Sequence, residues 1–496
     1  MDLVRARRAV ALVSCAFLLS VPARAHAQVF EAISSYAGCD PAGCVEASDG
    51  GRPDSALVIG PDGNFYGTTS EFPSGGLGTI YRVTPSGGRT TLVNFSEPTD
   101  PAVFGPWGCF PVGKLAKGPD AFYGVTDGCG LNNGGVLYSL SFSGSFTVLH
   151  HFPTGASPSG GLAFATDGDL FGITGNGGDF NQGTVFRWDG VSVSTIFSFG
   201  SSDAGGFPAG DLMRASDGGI YGATTGGGGI ALPTLFRITS DEAVELFHTF
   251  DGAHGYSNGG LLEASDGQLY GATYTGMGVV FRIALDGTFT PLHTGLHSRG
   301  NLIEGFGGVI YGTTDEVSSV SGTVFQMRPS GALTTLHTFD APGGRRPRAG
   351  LLRGSDGHMY GNAYEGGSHG LGVFYRIAMP PAVDVTANGA HGPLTLAPGE
   401  PLAIRVAFEV PGAGVLNPAQ VLIGFVSPVG VYWLGPAGFG TTPVVLFAGA
   451  LPAFGATPLL NFSTTAGLPA GNYTWFMFVV EGTTRLFADS VTTTVP

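Results

Sequence analysis

Short runs of β-branched and aromatic residues, broken at close intervals by glycine, recur along the chain. No stretch carries apolar residues at helical spacing over several turns. The pattern predicts an all-β protein. An aromatic-Gly pair repeats as Tyr66-Gly67, Tyr123-Gly124, Phe171-Gly172, Tyr221-Gly222, Tyr270-Gly271, Tyr311-Gly312 and Tyr360-Gly361. The first and last tyrosines stand 294 residues apart over six intervals, an average of 49, which suits one four-stranded propeller blade per repeat.

Each repeat reads alike. A small-residue segment ending in Leu, such as Gly259-Gly260-Leu261, leads into an Asp-Gly turn, as at Asp62-Gly63, Asp167-Gly168, Asp217-Gly218, Asp266-Gly267 and Asp356-Gly357. Asp-Gly tolerates positive φ and joins paired strands. The aromatic-Gly strand follows, then a Gly-rich loop, a third strand such as Thr79–Val83 or Thr184–Trp188, and a fourth such as Leu333–Phe339. The seventh repeat stops after its third strand, near Ile377. Ala32-Ile33-Ser34-Ser35-Tyr36 matches Thr335–Phe339, so residues 28–38 are expected to complete the last blade and close a seven-bladed β-propeller over 28–379. Closure protects sheet edges that would otherwise invite aggregation.

The motifs Leu-x-x-x-Asp-Gly-x-x-Tyr-Gly, Gly-Thr-Val-Phe-Arg-Ile and Leu-x-x-Leu-His-Thr-Phe resemble the bacterial GloVer repeat of the Gloeobacter and Verrucomicrobia lineages, over about residues 50 to 378. The resemblance implies an exported, often surface-anchored protein, and supplies no catalytic residues to carry over.

Beyond Ala378 the composition shifts toward Pro, Ala, Val and Thr. Strand candidates at Leu402–Val410, Gln420–Val426, Val444–Ala448, Tyr473–Val480 and Arg485–Thr493 predict an immunoglobulin-like β-sandwich over 380–496. By analogy, such modules serve as spacers or adhesion units.

Residues 1–27 read as a signal peptide: Arg5, Arg7 and Arg8, an apolar Ala9–Val21, then Ala25-His26-Ala27 before the cut. Cys15 loosely fits a lipobox but lies inside the apolar run. Cleavage removes four arginines and Asp2, leaving 18 basic and 36 acidic residues, a net charge of −18. That surface disfavours nucleic acid and anionic membranes. No apolar run is long enough to span a membrane, and a monomer, secreted, extracellular, periplasmic or surface-associated, is expected. Cys39, Cys44, Cys109 and Cys129 remain, and pairing as Cys39–Cys44 and Cys109–Cys129 is favoured over a zinc site.

Several chemical motifs dissolve into the repeat. Gly255-Tyr256-Ser257-Asn258-Gly259 mimics a nucleophile elbow, but an all-β chain lacks the strand-to-helix turn it needs. His150, His248, His293 and His337 fall one per blade in the fourth strand, too far apart to share an ion. Each Asp-Gly turn offers one carboxylate, too few for calcium. The Gly-rich loops lack the Lys-Ser/Thr of a phosphate loop. No cofactor is expected.

The first strands carry the informative variation. Two columns change chemistry from blade to blade and place Lys114, Asp211, Arg299, Asn301 and Arg348 on innermost strands near the axis, with Gly161, Gly260 and Gly350 leaving room for a ring to approach. These residues are the candidate ligand-binding set. The expected function is a non-catalytic binding or scaffold protein for a polysaccharide or cell-surface protein. The rival is a propeller enzyme (lactonase, lyase or glycoside hydrolase) acting at the channel, for which Asp54 and Asp211 are the only acids in these columns.

Overall fold

The computed structural model describes residues 29–36, 51–71, 77–95, 107–200, 205–226, 232–257, 259–315 and 322–379, and the backbone of strands between 382 and 495. The chain divides into two compact units. One is Phe30–Gly354 with Met359–Ile377, and the other is Met1–Val29, Ser355–His358 and Ala378–Pro496.

The larger unit is a seven-bladed β-propeller of antiparallel sheets. Blade 4 shows the plan: Gly206–Arg214 innermost, then Ile220–Gly226, Thr234–Ile238 and, outermost, Val244–Thr249. In blade 1 the inner strand is split into Gly51–Pro53 and Val58–Ile59, both paired to Phe65–Glu71. In blade 7, Leu352–Arg353, Met359–Ala363 and Val373–Ala378 are joined by Val29–Ser35 from the start of the chain.

The repeated motifs have packing causes. The glycine of each aromatic-Gly pair faces an aromatic residue of the third strand, as in Gly172 opposite Phe186 and Gly222 opposite Phe236. A Cβ on Gly172 would lie 2.2 Å from the Phe186 ring, so the ring occupies the place a side chain would take. The turn aspartate receives the tyrosine hydroxyl of the next strand: Tyr66 to Asp62 at 3.0 Å, and Tyr221 to Asp217 and Tyr270 to Asp266 at 2.8 Å. Arg237 on the third strand reaches the same Asp217 at 2.7 Å. Burial, then the bond to Asp266, pushes the Tyr270 phenol up to about 12. These carboxylates serve their own repeat.

Buried clusters straddle consecutive blades. One unites Phe171, Ile173 and Val185 of blade 3 with Leu212, Ile220 and Phe236 of blade 4. Another unites Leu57, Phe65 and Tyr81 of blade 1 with Tyr360 and Phe374 of blade 7 and with Tyr36. There the ring closes on a buried polar triangle: Tyr36 donates to the Asn362 amide oxygen (2.9 Å), the Tyr36 and Tyr81 hydroxyls bond each other (2.8 Å), and the Asn362 amide donates to Tyr81 (2.9 Å). Arg89 stacks 3.6 Å from the centre of the Tyr36 ring.

Two of the fourth-strand histidines, His248 and His337, are wedges at the joints between strands of neighbouring sequence repeats. His248 stacks on Phe289 of the next blade at 4.5 Å, and His337 on Phe30 of the N-terminal strand at 3.6 Å. Cys109 and Cys129 form a disulfide, S–S 2.01 Å, across the first two strands of blade 2. Cys39 and Cys44 lie outside the described residues. Among the described residues no helix is long and apolar enough to cross a membrane.

The second unit carries a three-stranded sheet of Ala382–Ala387, Leu402–Glu409 and Thr457–Thr464. A seven-stranded sheet is centred on Leu416–Ser427, Gly471–Glu481 and Thr484–Val495.

Candidate functional site at the channel mouth

The inner strands of blades 2, 3 and 4 share an irregularity: register slips between Val112 and Ala116, between Ser159 and Ala163, and between Ala209 and Met213. In blades 5, 6 and 7 the inner strand pairs over two residues only, Leu262–Glu263, Ile303–Glu304 and Leu352–Arg353. The variable columns therefore lie outside the regular ladder, where bulges re-aim side chains. In blades 2, 3 and 4 they fall within the slipped stretch, and in blades 5, 6 and 7 just before the paired residues.

Neighbouring inner strands touch there through glycine. A Cβ on Gly113 would fall 2.1 Å from the backbone of Gly160, and one on Gly160 would fall 1.8 Å from Gly210. With backbones this close, the side chains flanking each glycine meet in one cavity of about 210 Å³. Lys114, Asp211, Arg299, Asn301 and Arg348 all line it, together with Asp54 and Ser159.

Asp211 and Asn301 have structural partners. One Asp211 carboxylate oxygen accepts the backbone N–H of Lys114 (3.2 Å) and of Gly161 (2.6 Å), and the other accepts the Asn301 amide (2.6 Å). Asn301 in turn accepts the Gly260 N–H at 2.5 Å. Blades 2, 3, 4, 5 and 6 are thereby tied across the axis. The space above Gly161 is filled by Asp211, and that above Gly260 by Asp211 and Asn301. A Cβ on Gly161 would sit 2.5 Å from the Asp211 carboxylate, and one on Gly350 would sit 2.6 Å from the Asn301 backbone. The room expected for a ligand ring over these glycines is thus taken by the protein itself.

Against Arg299 and Arg348 stands a group that the first-strand columns do not include. Asp315, its side chain fully buried, lies 3.2 Å from Arg299, 3.2 Å from Arg346 and 3.6 Å from Arg348. Glu365 also reaches Arg346, at 3.3 Å. Arg299 stacks on Tyr274 at 3.7 Å and Arg348 on Tyr364 at 4.0 Å, contacts that fix the guanidinium planes. Tyr274, Asp315 and Tyr364 share one column, four residues beyond the aromatic of the aromatic-Gly pair. Aligning that column as well as the first strands would have exposed the cluster.

At or just before the start of the inner strands, Arg52, Phe110, Ser157, Phe207 and Arg346 hold φ between 48° and 57°. L-residues pay a strain cost in this left-handed region. The N–H groups of Arg52, Phe110 and Phe207 each bond a carbonyl of the preceding blade at 2.7 Å, which pins the conformation. Phe110 and Phe207 remain 37% and 40% exposed.

Ser257 is buried, with its hydroxyl donating to the Gly259 carbonyl at 3.1 Å. Its neighbour Asn258 lies outside the described residues. Among the described residues no group of three His, Cys, Asp or Glu is placed to hold a metal.

Comparison with solved structures finds virginiamycin B lyase from Staphylococcus aureus at 13% identity and TM-score 0.48, covering 67% of this chain and 96% of that one. A protein assigned as a 6-phosphogluconolactonase, from Bacteroides uniformis, is similar at 18% identity and TM-score 0.40, covering 57% of this chain and 84% of that one. A protein assigned as a gluconolactonase is similar at 15% identity and TM-score 0.36, with 56% and 90% covered. No curated protein matches. The Gloeobacter/Verrucomicrobia repeat matches twice, over residues 42–232 and 214–388. The repeated blade sequences and these matches over most of the chain agree: the protein belongs to the Gloeobacter/Verrucomicrobia repeat family.

Proposed function

We propose that this is an exported, non-catalytic binding protein whose propeller takes a glycan or cell-surface ligand at the channel mouth. In this reading residues 1–27 are a cleaved signal peptide and Cys39 pairs with Cys44. The C-terminal unit is an immunoglobulin-like sandwich that spaces the propeller from whatever carries it, and the protein acts as a secreted or surface-associated monomer.

The observation that carries the reading is convergence. Side chains from inner strands of different blades, Asp54, Lys114, Arg299 and Arg348 among them, line one small polar cavity. Concave sites with a few convergent polar groups are the usual places for ligands. The acids favour binding over hydrolysis. Asp211 accepts three hydrogen bonds, and Asp54 stands 4.0 Å from Arg348, whereas glycoside hydrolysis needs two carboxylates disposed about a bond.

The test is a glycan array and polysaccharide pull-down comparing wild type with a Lys114→Ala, Arg348→Ala double variant. Asp211 is left intact because it ties blades together. The expected result is a binding signal that the variant loses while its melting temperature stays near that of wild type. Equal binding by both proteins, or none by wild type, would remove the channel from consideration.

A further inference from the structure

We propose that the ligand at the mouth is a carboxylated glycan, with one sugar carboxylate seated on Arg299 and Arg348. The inference rests on the binding reading above and specifies its ligand class.

The argument is one of charge and shape. Arg299 and Arg348 both line the cavity, and each is held flat against a tyrosine, Tyr274 and Tyr364. Their counter-charge is Asp315, which also takes Arg346. One carboxylate is divided among three guanidinium groups. The Nε atoms of Arg299 and Arg348 are buried and face Asp315, while their terminal nitrogens make no hydrogen bond among the described residues. Arg348 has a second acid at the limit of reach, Asp54 at 4.0 Å. For Arg299 and Lys114 no further ion pair occurs among the described residues.

The cavity wall therefore carries three cations against Asp54 and an Asp211 already occupied by two backbone N–H groups and an amide. Asp315 brings the formal charges level, so what the cavity offers a carboxylate is planar guanidinium donors rather than a surplus of charge. A carboxylate fits the guanidinium fork in two parallel hydrogen bonds.

The rest of the site suits a sugar. Its lining contains no aliphatic side chain larger than alanine and is rich in backbone, serine and amide groups.

The experiment is calorimetric titration of the whole protein with trigalacturonate, its fully methyl-esterified form, monomeric galacturonate and a neutral galacto-trisaccharide. We expect the acid trisaccharide to bind at least about tenfold more tightly than its ester, and more tightly than the monomer. Arg299→Lys and Arg348→Lys keep the charge but lose the fork, and should shrink the acid-over-ester preference with melting temperature preserved. Equal binding of acid and ester, or no binding of the acid, overturns the proposal. A monomer as tight as the trisaccharide overturns the glycan and leaves a free sugar acid. If the neutral sugar binds and the Lys114→Ala, Arg348→Ala variant loses it, the mouth stands and the carboxylate falls. Acid binding indifferent to every mouth variant removes both.

Discussion

Asp211 concentrates what the inner strands do. Its carboxylate accepts hydrogen bonds from blades 2, 3 and 6 while its own backbone belongs to blade 4. Hydrogen bonds to an ionised acceptor are among the stronger ones, and a buried N–H left without a partner costs free energy. Asp211→Ala should therefore cost about 1.5–3 kcal/mol in urea unfolding. An unchanged midpoint would show that the axis is held by backbone packing alone. The residue also marks where reading single columns stops short. A charged residue among glycines near an axis looks like a ligand contact, and nothing in linear order reveals that the glycines of blades 3 and 5 leave the space for it. Asp315 illustrates the converse. It follows a Thr-Thr pair like a loop residue, and its importance lies in three arginines that reach it from other segments.

At the scale of the strand, the outermost strands carry half-buried histidines, of which His248 and His337 stack on rings of a neighbouring repeat. His150, His248 and His337 all have pKa values lowered from the ordinary histidine value, with burial the leading cause. Around them, His151 lowers His150 further, His254 lowers His248 while Asp251 opposes, and Asp340 opposes the shift at His337. A depressed histidine is neutral in the fold and gains its proton more readily unfolded. The stability from these joints is present above the unfolded value, near pH 6.5, and is lost as pH falls below it. Blade 3 carries Phe197 at this position. His248→Phe with His337→Phe should thus melt with a shallower decline between pH 7 and pH 5 than wild type, read as the difference between the two profiles. Parallel profiles would mean that the rings remain stacked whatever their charge.

For the whole molecule, closure is the decisive event. The N-terminal strand brings Phe30 against His337 and Tyr375, Glu31 against Arg376, and Tyr36 into the triangle with Tyr81 and Asn362. Deleting residues 28–38 exposes the third strand of blade 7 as a free edge and removes a buried aromatic from the joint with blade 1. The expected outcome is aggregation on size exclusion or a large fall in melting temperature, and a monomeric truncation of wild-type stability would contradict it. The repeat, its four-stranded plan and its Asp-Gly turns were determined by the sequence alone. They are local devices: a turn needs its own glycine, and the aromatic-Gly pair needs only the ring one strand away. Periodicity also placed the variable columns on one face. Which of those side chains remain available to a ligand was decided by tertiary structure, because availability depends on partners from distant blades. Asp211 and Asn301 are drawn inward by N–H groups and amides across the axis, while Arg299 and Arg348 share the buried carboxylate of Asp315 with Arg346. Charge balance and occupied space belong to the closed ring, and no single repeat contains either.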